Sequence, residues 1–212
     1  MQVLRTAHRT LIRGLHRLQR HPPAPPALGS IHIESAKMLV DRVELLRRLP
    51  LGGTVMECGV DEGRFSQQIL DISKPDRLIL VDLWGSKRFN ESKLAQVKEK
   101  FASQLAAGQV QIARMTSHDA LRENANESLD WVYIDTDHSY ATTHDELLLA
   151  VQKVKPNGYI CGHDYTIGSW PSYHRYGVIE AVNAFCVEHH WQFAYLTHEP
   201  NRNLSFALCR IK

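Results

Sequence analysis

The sequence has little of what marks a specialised chain. Its 212 residues include four cysteines, Cys58, Cys161, Cys186 and Cys209, all far apart. Three fall in predicted strands and one in a predicted helix. That excludes a disulfide framework and a cysteine-based zinc site, and it reads as reduced, buried thiols of a cytoplasmic protein. No apolar run approaches the ~20 residues of a membrane span, so no transmembrane segment is expected. Charge of one sign is scarce: the net charge is +2, which gives no reason to expect nucleic acid as a partner. There are no internal repeats. There is also no G-x-G-x-x-G turn, which argues against a dinucleotide-dependent hydride transfer. What remains is ordinary for one globular domain, 43% hydrophobic and 23% charged, and long enough to bury a sizeable core.

The most informative stretch is Thr54 to Ser66, TVMECGVDEGRFS. An apolar run leads to Glu57, then Gly59 and Gly63, and then a helical pattern with Phe65, Ile69 and Ile72 on one side. This is a strand, a glycine turn and a helix start, and the turn lets a ligand approach the backbone closely. A carboxylate at the strand end repels a pyrophosphate. It suits a ligand that carries an ammonium and a sulfonium. Glu57, Gly59, Gly63 and Ser66 are the first part of a candidate cofactor site. The competing interpretation is an ordinary strand-to-helix turn of some other α/β protein.

Residues 1–21 form a basic amphipathic segment. Arg5, Arg9, Arg13 and Arg17 recur every fourth residue beside a stripe of Leu4, Leu11, Leu15 and Leu18. It reads as a helix that packs on its own domain or on a second subunit; contact with a membrane surface or an acidic partner is the sharper alternative. No compact apolar region follows the charges, as a cleaved secretory signal requires. The composition also fits a mitochondrial presequence. Residues 22–30 hold Pro22, Pro23, Pro25 and Pro26, a stiff linker. Such an arm on such a linker suits exchange between subunits, so a homo-oligomer is expected.

Residues 31–212 form the main domain. Ser35 to Leu49 reads as a helix with Met38, Val43, Leu46 and Leu49 largely inward. Seven strands follow, beginning at Thr54, Arg77, Val110, Leu129, Tyr159, Trp191 and Leu204. Helices start after Gly63, at Glu91, at Tyr140 and at Val178, and Lys155 to Gly158 is a turn. Near-continuous apolar strands alternating with helices imply a mostly parallel sheet covered on both faces. The last two strands, joined by a polar turn, pair antiparallel. Ligands on such sheets bind beyond the carboxyl ends of the strands, where the strand order reverses. Glu57, Asp82, Ser117, Asp135, His163 and Asp164 all sit at such ends, a coincidence stronger than any single motif.

Asp82 lies far enough past Gly63 to accept from both ribose hydroxyls; its bland alternative is a turn cap. Trp84 offers a flat face for adenine, and Ser117 with His118 lies where an adenine edge is read. The YIDTDHSY block, Tyr133 to Tyr140, crowds two carboxylates and an imidazole at one strand end, which is unfavourable unless they are paired or ligated. If the GHDY strand end is its neighbour, Asp135, His163 and Asp164 converge into a site for an octahedral divalent metal such as Mg²⁺, Mn²⁺ or Fe²⁺. Asp137 can substitute as a ligand. Tyr140, Tyr165, Trp170 and Tyr173, with Asp137, are candidates to line an acceptor pocket. Trp170 and Tyr173 belong to an aromatic loop that otherwise reads as a surface loop packed on the last helix.

In this order, Glu57-x-Gly59-x-x-x-Gly63, Asp82, IDTDHSY, VKPNG and GHDY resemble the class I S-adenosylmethionine-dependent methyltransferases related to the macrolide sugar O-methyltransferases. More remotely they resemble the metal-dependent catechol O-methyltransferases. The resemblance covers Thr54 to Tyr165 well and the rest in outline. It implies a Rossmann-like α/β fold with a seven-stranded sheet and S-adenosyl-L-methionine as cofactor. It also implies Mg²⁺ or another divalent metal at Asp135 and at His163 with Asp164, and His138 as base toward a small-molecule hydroxyl acceptor. His163 departs from the pattern, standing where the sugar enzymes have a glutamate. A hydrogen-bonded strand-end histidine is the alternative for His138. A metal-independent N- or C-methyltransferase, or a non-catalytic scaffold that keeps the fold, are the rival functions.

Overall fold

The computed structural model describes residues 22–169, 174–199 and 203–212. The basic arm, Trp170 and Tyr173 lie outside the described residues. One mixed sheet of eight strands runs through the domain in the order β1-β9-β10-β6-β5-β2-β3-β4. Its centre is parallel: β2 (Thr54–Cys58) lies between β3 (Arg77–Val81) and β5 (Leu129–Ile134), with β4 (Val110–Ala113) outside β3 and β6 (Val154–Gly162) outside β5. The chain therefore runs outward from β2 to β4 and crosses back to β5, so strand order reverses between β2 and β5. β9 (Trp191–Thr197) and β10 (Phe206–Arg210) pair antiparallel, as expected, and β10 also pairs antiparallel with β6.

The eighth strand is a correction. Ser35 to Leu49 is not one helix. A short helix α1 (Ser30–Ile33) precedes an edge strand β1 (Lys37–Leu39), and only Arg42–Arg48 is helical, as α2. β1 exists because Met38 pairs with Leu196 of β9, a contact no local pattern encodes. Met38, expected inward, is 64% exposed, whereas Leu39, Leu45, Leu46 and Leu49 are buried. Asp41 stops the strand and caps α2 by accepting from the Glu44 N–H at 2.7 Å. The Lys155–Gly158 turn lies within β6 as an irregularity where the register shifts against β5.

Helices cover both faces. α3 (Arg64–Ser73), α4 (Glu91–Lys100) and α2 help bury one core with Val55, Leu80, Trp131 and Tyr133. α6 (Ser117–Glu123), α7 (Tyr140–Lys153) and α8 (Val178–His189) help bury the other with Met56, Val132, Ile134 and Ile160. Alternate residues of β2 and β5 thus feed opposite cores, as period-2 side-chain direction requires. α5 (Ala102–Ala106) follows α4 after a break at Phe101, and a two-strand ribbon, β7 (Gly168–Ser169) with β8 (His174–Arg175), lies between β6 and α8. Among the described residues, no helix is long and apolar enough to cross a membrane.

Candidate active site

The reversal point is built on Gly59. Its φ is +93°, and a Cβ there would lie 1.8 Å from the Asp135 carbonyl oxygen. The Asp135 N–H in turn donates to the Cys58 carbonyl at 2.8 Å. Gly63, at φ +67°, opens α3, and a Cβ there would meet the Phe101 ring at 2.8 Å. Both glycines are thus required by backbone conformation and by space.

Glu57 is 1% exposed and accepts a hydrogen bond from Ser66. Burial pushes its pKa up to about 8; the Ser66 hydroxyl opposes that, and Asp135 adds to it. Ser66 is fully buried and spends its hydroxyl on Glu57. It supports the acid from the first turn of α3.

Asp82 is half-buried at the end of β3. Its Oδ2 accepts from the Val60 and Asp61 amides, both at 3.0 Å, and its Oδ1 accepts from the Trp84 amide at 3.0 Å. The acid ties the glycine loop to the next strand. Trp84 is not an adenine platform: it is 1% exposed, and its indole N–H donates to the Asp61 carbonyl at 3.0 Å. Its left-handed backbone, φ +44°, turns the ring inward. Leu83, passed over in the sequence, is 56% exposed at this strand end and presents the apolar surface instead. Ser117 donates to Glu146, a fully buried acid that also accepts from Thr136 at 2.9 Å. Its hydroxyl is therefore spent on Glu146.

The second half of the site lies at the ends of β5 and β6, which are neighbours. Ligand-capable atoms of Asp135, His138 and Asp164 lie within 4.8 Å of one another. His138 Nε2 is 3.0 Å from Asp164 Oδ2. Two residues of this trio hold left-handed backbones, His138 at φ +64° and Asp164 at φ +60°, conformations that non-glycine residues keep only where the surroundings impose them. The His138 carbonyl accepts from the Gly177 N–H at 2.8 Å, and its ring lies 4.7 Å from that of Tyr176. Asn203 donates to Asp164.

His163 joins this group from the side. Its Nδ1 is 3.3 Å from Asp164 Oδ1 and 3.7 Å from Asp135 Oδ2. Beside the expected trio of Asp135, His163 and Asp164, the structure brings together Asp135, His138 and Asp164 as a group that could hold an ion, with His163 against both carboxylates. Burial depresses the His163 pKa, but the Asp164 hydrogen bond and the charges of Asp135 and Asp164 outweigh it, and the net direction is up. Burial raises Asp164, but the His163 hydrogen bond and the two imidazoles bring it below the usual carboxylate range. Asp135 goes up, chiefly from burial.

Three acceptor candidates have partners within the chain. Asp137 accepts from the Ser139 N–H and the Thr142 hydroxyl, so it holds the start of α7. Tyr165 packs edge-on against Phe193 and Phe206 and donates to Asn183 at 2.8 Å, and burial pushes its pKa up to about 12. Tyr140 stacks on His144 and packs against the core. Arg42, which no motif marked, sits at the start of α2 with its guanidinium 4.5 Å from the Phe65 ring centre.

A glycine loop bound by an acid on the next strand lies beside a carboxylate–imidazole cluster at the sheet's reversal point. A sequence model of the family described as "Methyltransferase domain" matches residues 56–165. The chain belongs to this methyltransferase family. Its fold is the Rossmann-like methyltransferase fold. Solved structures share that fold at low identity. The pyocyanin biosynthetic protein PhzM is 16% identical with a TM-score of 0.60, over 79% of this chain and 53% of that one. This methyltransferase therefore spans about half the length of PhzM. A putative methyltransferase from Streptococcus mutans, in complex with SAH, is 13% identical with a TM-score of 0.57, over 79% and 94%. A SAM-dependent methyltransferase from Aquifex aeolicus is 13% identical with a TM-score of 0.58, over 79% and 87%. No curated protein matches the sequence.

Proposed function

We propose that the protein methylates a hydroxyl of a small molecule, such as a sugar or natural product. The observation that carries this reading is the Asp135–His138–Asp164 cluster at the strand ends that follow the glycine turn. Bound along Gly59 to Gly63, S-adenosylmethionine supplies a methyl on sulfonium, already an activated electrophile. What the protein must add is alignment of an acceptor oxygen and a place for its proton.

His138 Nδ1 is the place for that proton, because Nε2 carries the N–H that faces Asp164. Asp164 holds the imidazole at 3.0 Å, and the Gly177 bond to the His138 carbonyl fixes the backbone that aims it. Asp164 also stabilises the imidazolium formed when the proton arrives. Positioning and base catalysis of this kind are worth about 10²–10⁴-fold. Asp82 stays tied to the loop amides and offers its remaining lone pairs to ribose hydroxyls, while Leu83 supplies apolar surface for the base. Glu57 places negative potential beneath the amino-acid end of the cofactor.

The donor set fits a hard divalent cation: Asp135 and Asp164 are two carboxylates in reach of one ion, and Mg²⁺ is commonly held by one or two carboxylates plus water and substrate. Such a cation would lower the pKa of a coordinated hydroxyl. A softer ion would recruit His138 as third ligand. A metal-independent enzyme is the second reading, favoured by the two histidines and Asn203 that already partner Asp164. The deciding experiment is transfer of labelled methyl from S-adenosylmethionine to a panel of sugar and phenolic hydroxyls, with Mg²⁺ and then with chelator. Hydroxyl methylation that chelator abolishes supports the metal-assisted enzyme. Activity that survives chelator supports the second reading, and transfer to nitrogen or carbon acceptors alone refutes both.

A further inference from the structure

We infer that Arg42 binds the carboxylate at the amino-acid end of the cofactor, so that Arg42 and Glu57 together read an α-amino acid. The inference rests on the methyltransferase reading above. It concerns a residue outside the matched region, which begins at residue 56.

The position of Arg42 is fixed at its backbone. Asp41 caps the helix it opens, and the Arg42 N–H donates to Glu199, a buried acid, at 3.0 Å. Its guanidinium lies over Phe65, two residues past Gly63, and Phe65 packs at 4.4 Å on Tyr133. Tyr133 is the register partner of Glu57 on the adjacent strand. The cation therefore stands at the inner end of the glycine turn, on the sheet face that carries Glu57. Its charge is felt at Glu57, Asp135 and His163.

Arg42 differs from its neighbours in what it holds. Arg47, Arg48, Arg64, Arg114, Arg122 and Arg175 each pair with a carboxylate. Among the described residues, no carboxylate lies within ion-pair distance of the Arg42 guanidinium. A guanidinium has five N–H donors in a planar fork that matches a carboxylate and stays charged at any working pH. The amino-acid end of S-adenosylmethionine carries an ammonium and a carboxylate on one carbon. An acid below and an arginine that meets the Tyr133 hydroxyl but no carboxylate form the complementary pair of charges. The acceptor is assigned to the Asp135–His138–Asp164 cluster, which does not include Arg42.

The experiment is a calorimetric titration of the full chain with three probes: S-adenosylhomocysteine, its decarboxylated analogue and 5′-methylthioadenosine. The proteins are wild type, Arg42→Met and Arg42→Lys. Wild type is expected to prefer S-adenosylhomocysteine over the decarboxylated analogue by about 10–100-fold, the range of hydrogen bonds to charged groups. Arg42→Met brings S-adenosylhomocysteine down to the level of the analogue and leaves 5′-methylthioadenosine unchanged, which also shows that the variant is folded. Arg42→Lys retains part of the preference. Equal weakening of all three probes, or no weakening of any, overturns the assignment and leaves Arg42 as a structural counter-charge to Glu57 and Asp135. A wild type that binds 5′-methylthioadenosine but shows no preference between the other two probes overturns the Arg42 inference alone. A wild type that binds none of them overturns the cofactor reading, and the inference falls with it.

Discussion

The Asp135 carbonyl oxygen occupies the space where any side chain on Gly59 would begin. The glycine turn and the end of β5 are therefore in direct backbone contact. Gly59→Ala would meet a backbone oxygen at 1.8 Å and hold alanine at φ +93°. Overpacking and the unfavourable φ together are expected to lower stability by about 3–5 kcal/mol. Urea unfolding measures the loss. S-adenosylhomocysteine binding is expected to vanish even where the variant remains folded.

His138→Ala and Asp164→Asn separate chemistry from cofactor binding. Asparagine tolerates the left-handed backbone that Asp164 holds and can still accept from Asn203, so the fold should survive. Methyl transfer is expected to fall about 10²–10⁴-fold in either variant. S-adenosylhomocysteine affinity should stay within about threefold, because neither residue belongs to the glycine turn; a larger loss would place them in the cofactor site. Chelator should reduce wild-type turnover and leave the residual activity of Asp164→Asn unchanged.

Much of this site was legible because apolar strands end at polar residues. The ends of β2, β3, β5 and β6 were marked by Glu57, Asp82, Asp135 and His163–Asp164, and the parallel order that brings them together follows from alternating elements. What could not be read depended on single backbone torsions or on distant contacts. Trp84 looked available two residues past Asp82, but φ +44° and a bond to the Asp61 carbonyl bury it. That His138 joins His163 at Asp164 depends on the left-handed turn at His138. β1 is held by pairing with β9, more than 150 residues away, and Arg42 lies over Phe65 from outside any motif.

The basic arm, residues 1–21, is proposed to join subunits. The chain leaves the domain beside an exposed apolar corner, where Ile31 is 52%, Ile33 48%, Met38 64% and Val40 72% exposed. Removing residues 1–21 is expected to lower the mass seen by light scattering to that of one chain and to leave cofactor binding unchanged. An unchanged mass would remove the arm from assembly.

Glu57 also makes stability depend on pH. Its pKa stands at about 8 in the folded chain, chiefly through burial, against an ordinary 4.5. Between those values the folded state holds a proton that the unfolded state has released, so stability falls as pH rises, by about 1.4 kcal/mol per pH unit for one such group. Glu146, raised to about 7 mainly by burial, adds to the slope over the lower part of that range. Glu57→Gln keeps an acceptor for Ser66 and removes the titrating group. The variant is therefore expected to unfold at higher urea than wild type at pH 8 and to match it near pH 4.5. Its affinity for the cationic cofactor should fall more than its affinity for the uncharged 5′-methylthioadenosine, because a cation near Glu57 is what makes ionisation of the buried acid favourable. Equal urea midpoints at pH 8 would mean that Glu57 is ionised in the free protein, its charge already balanced from within by Arg42.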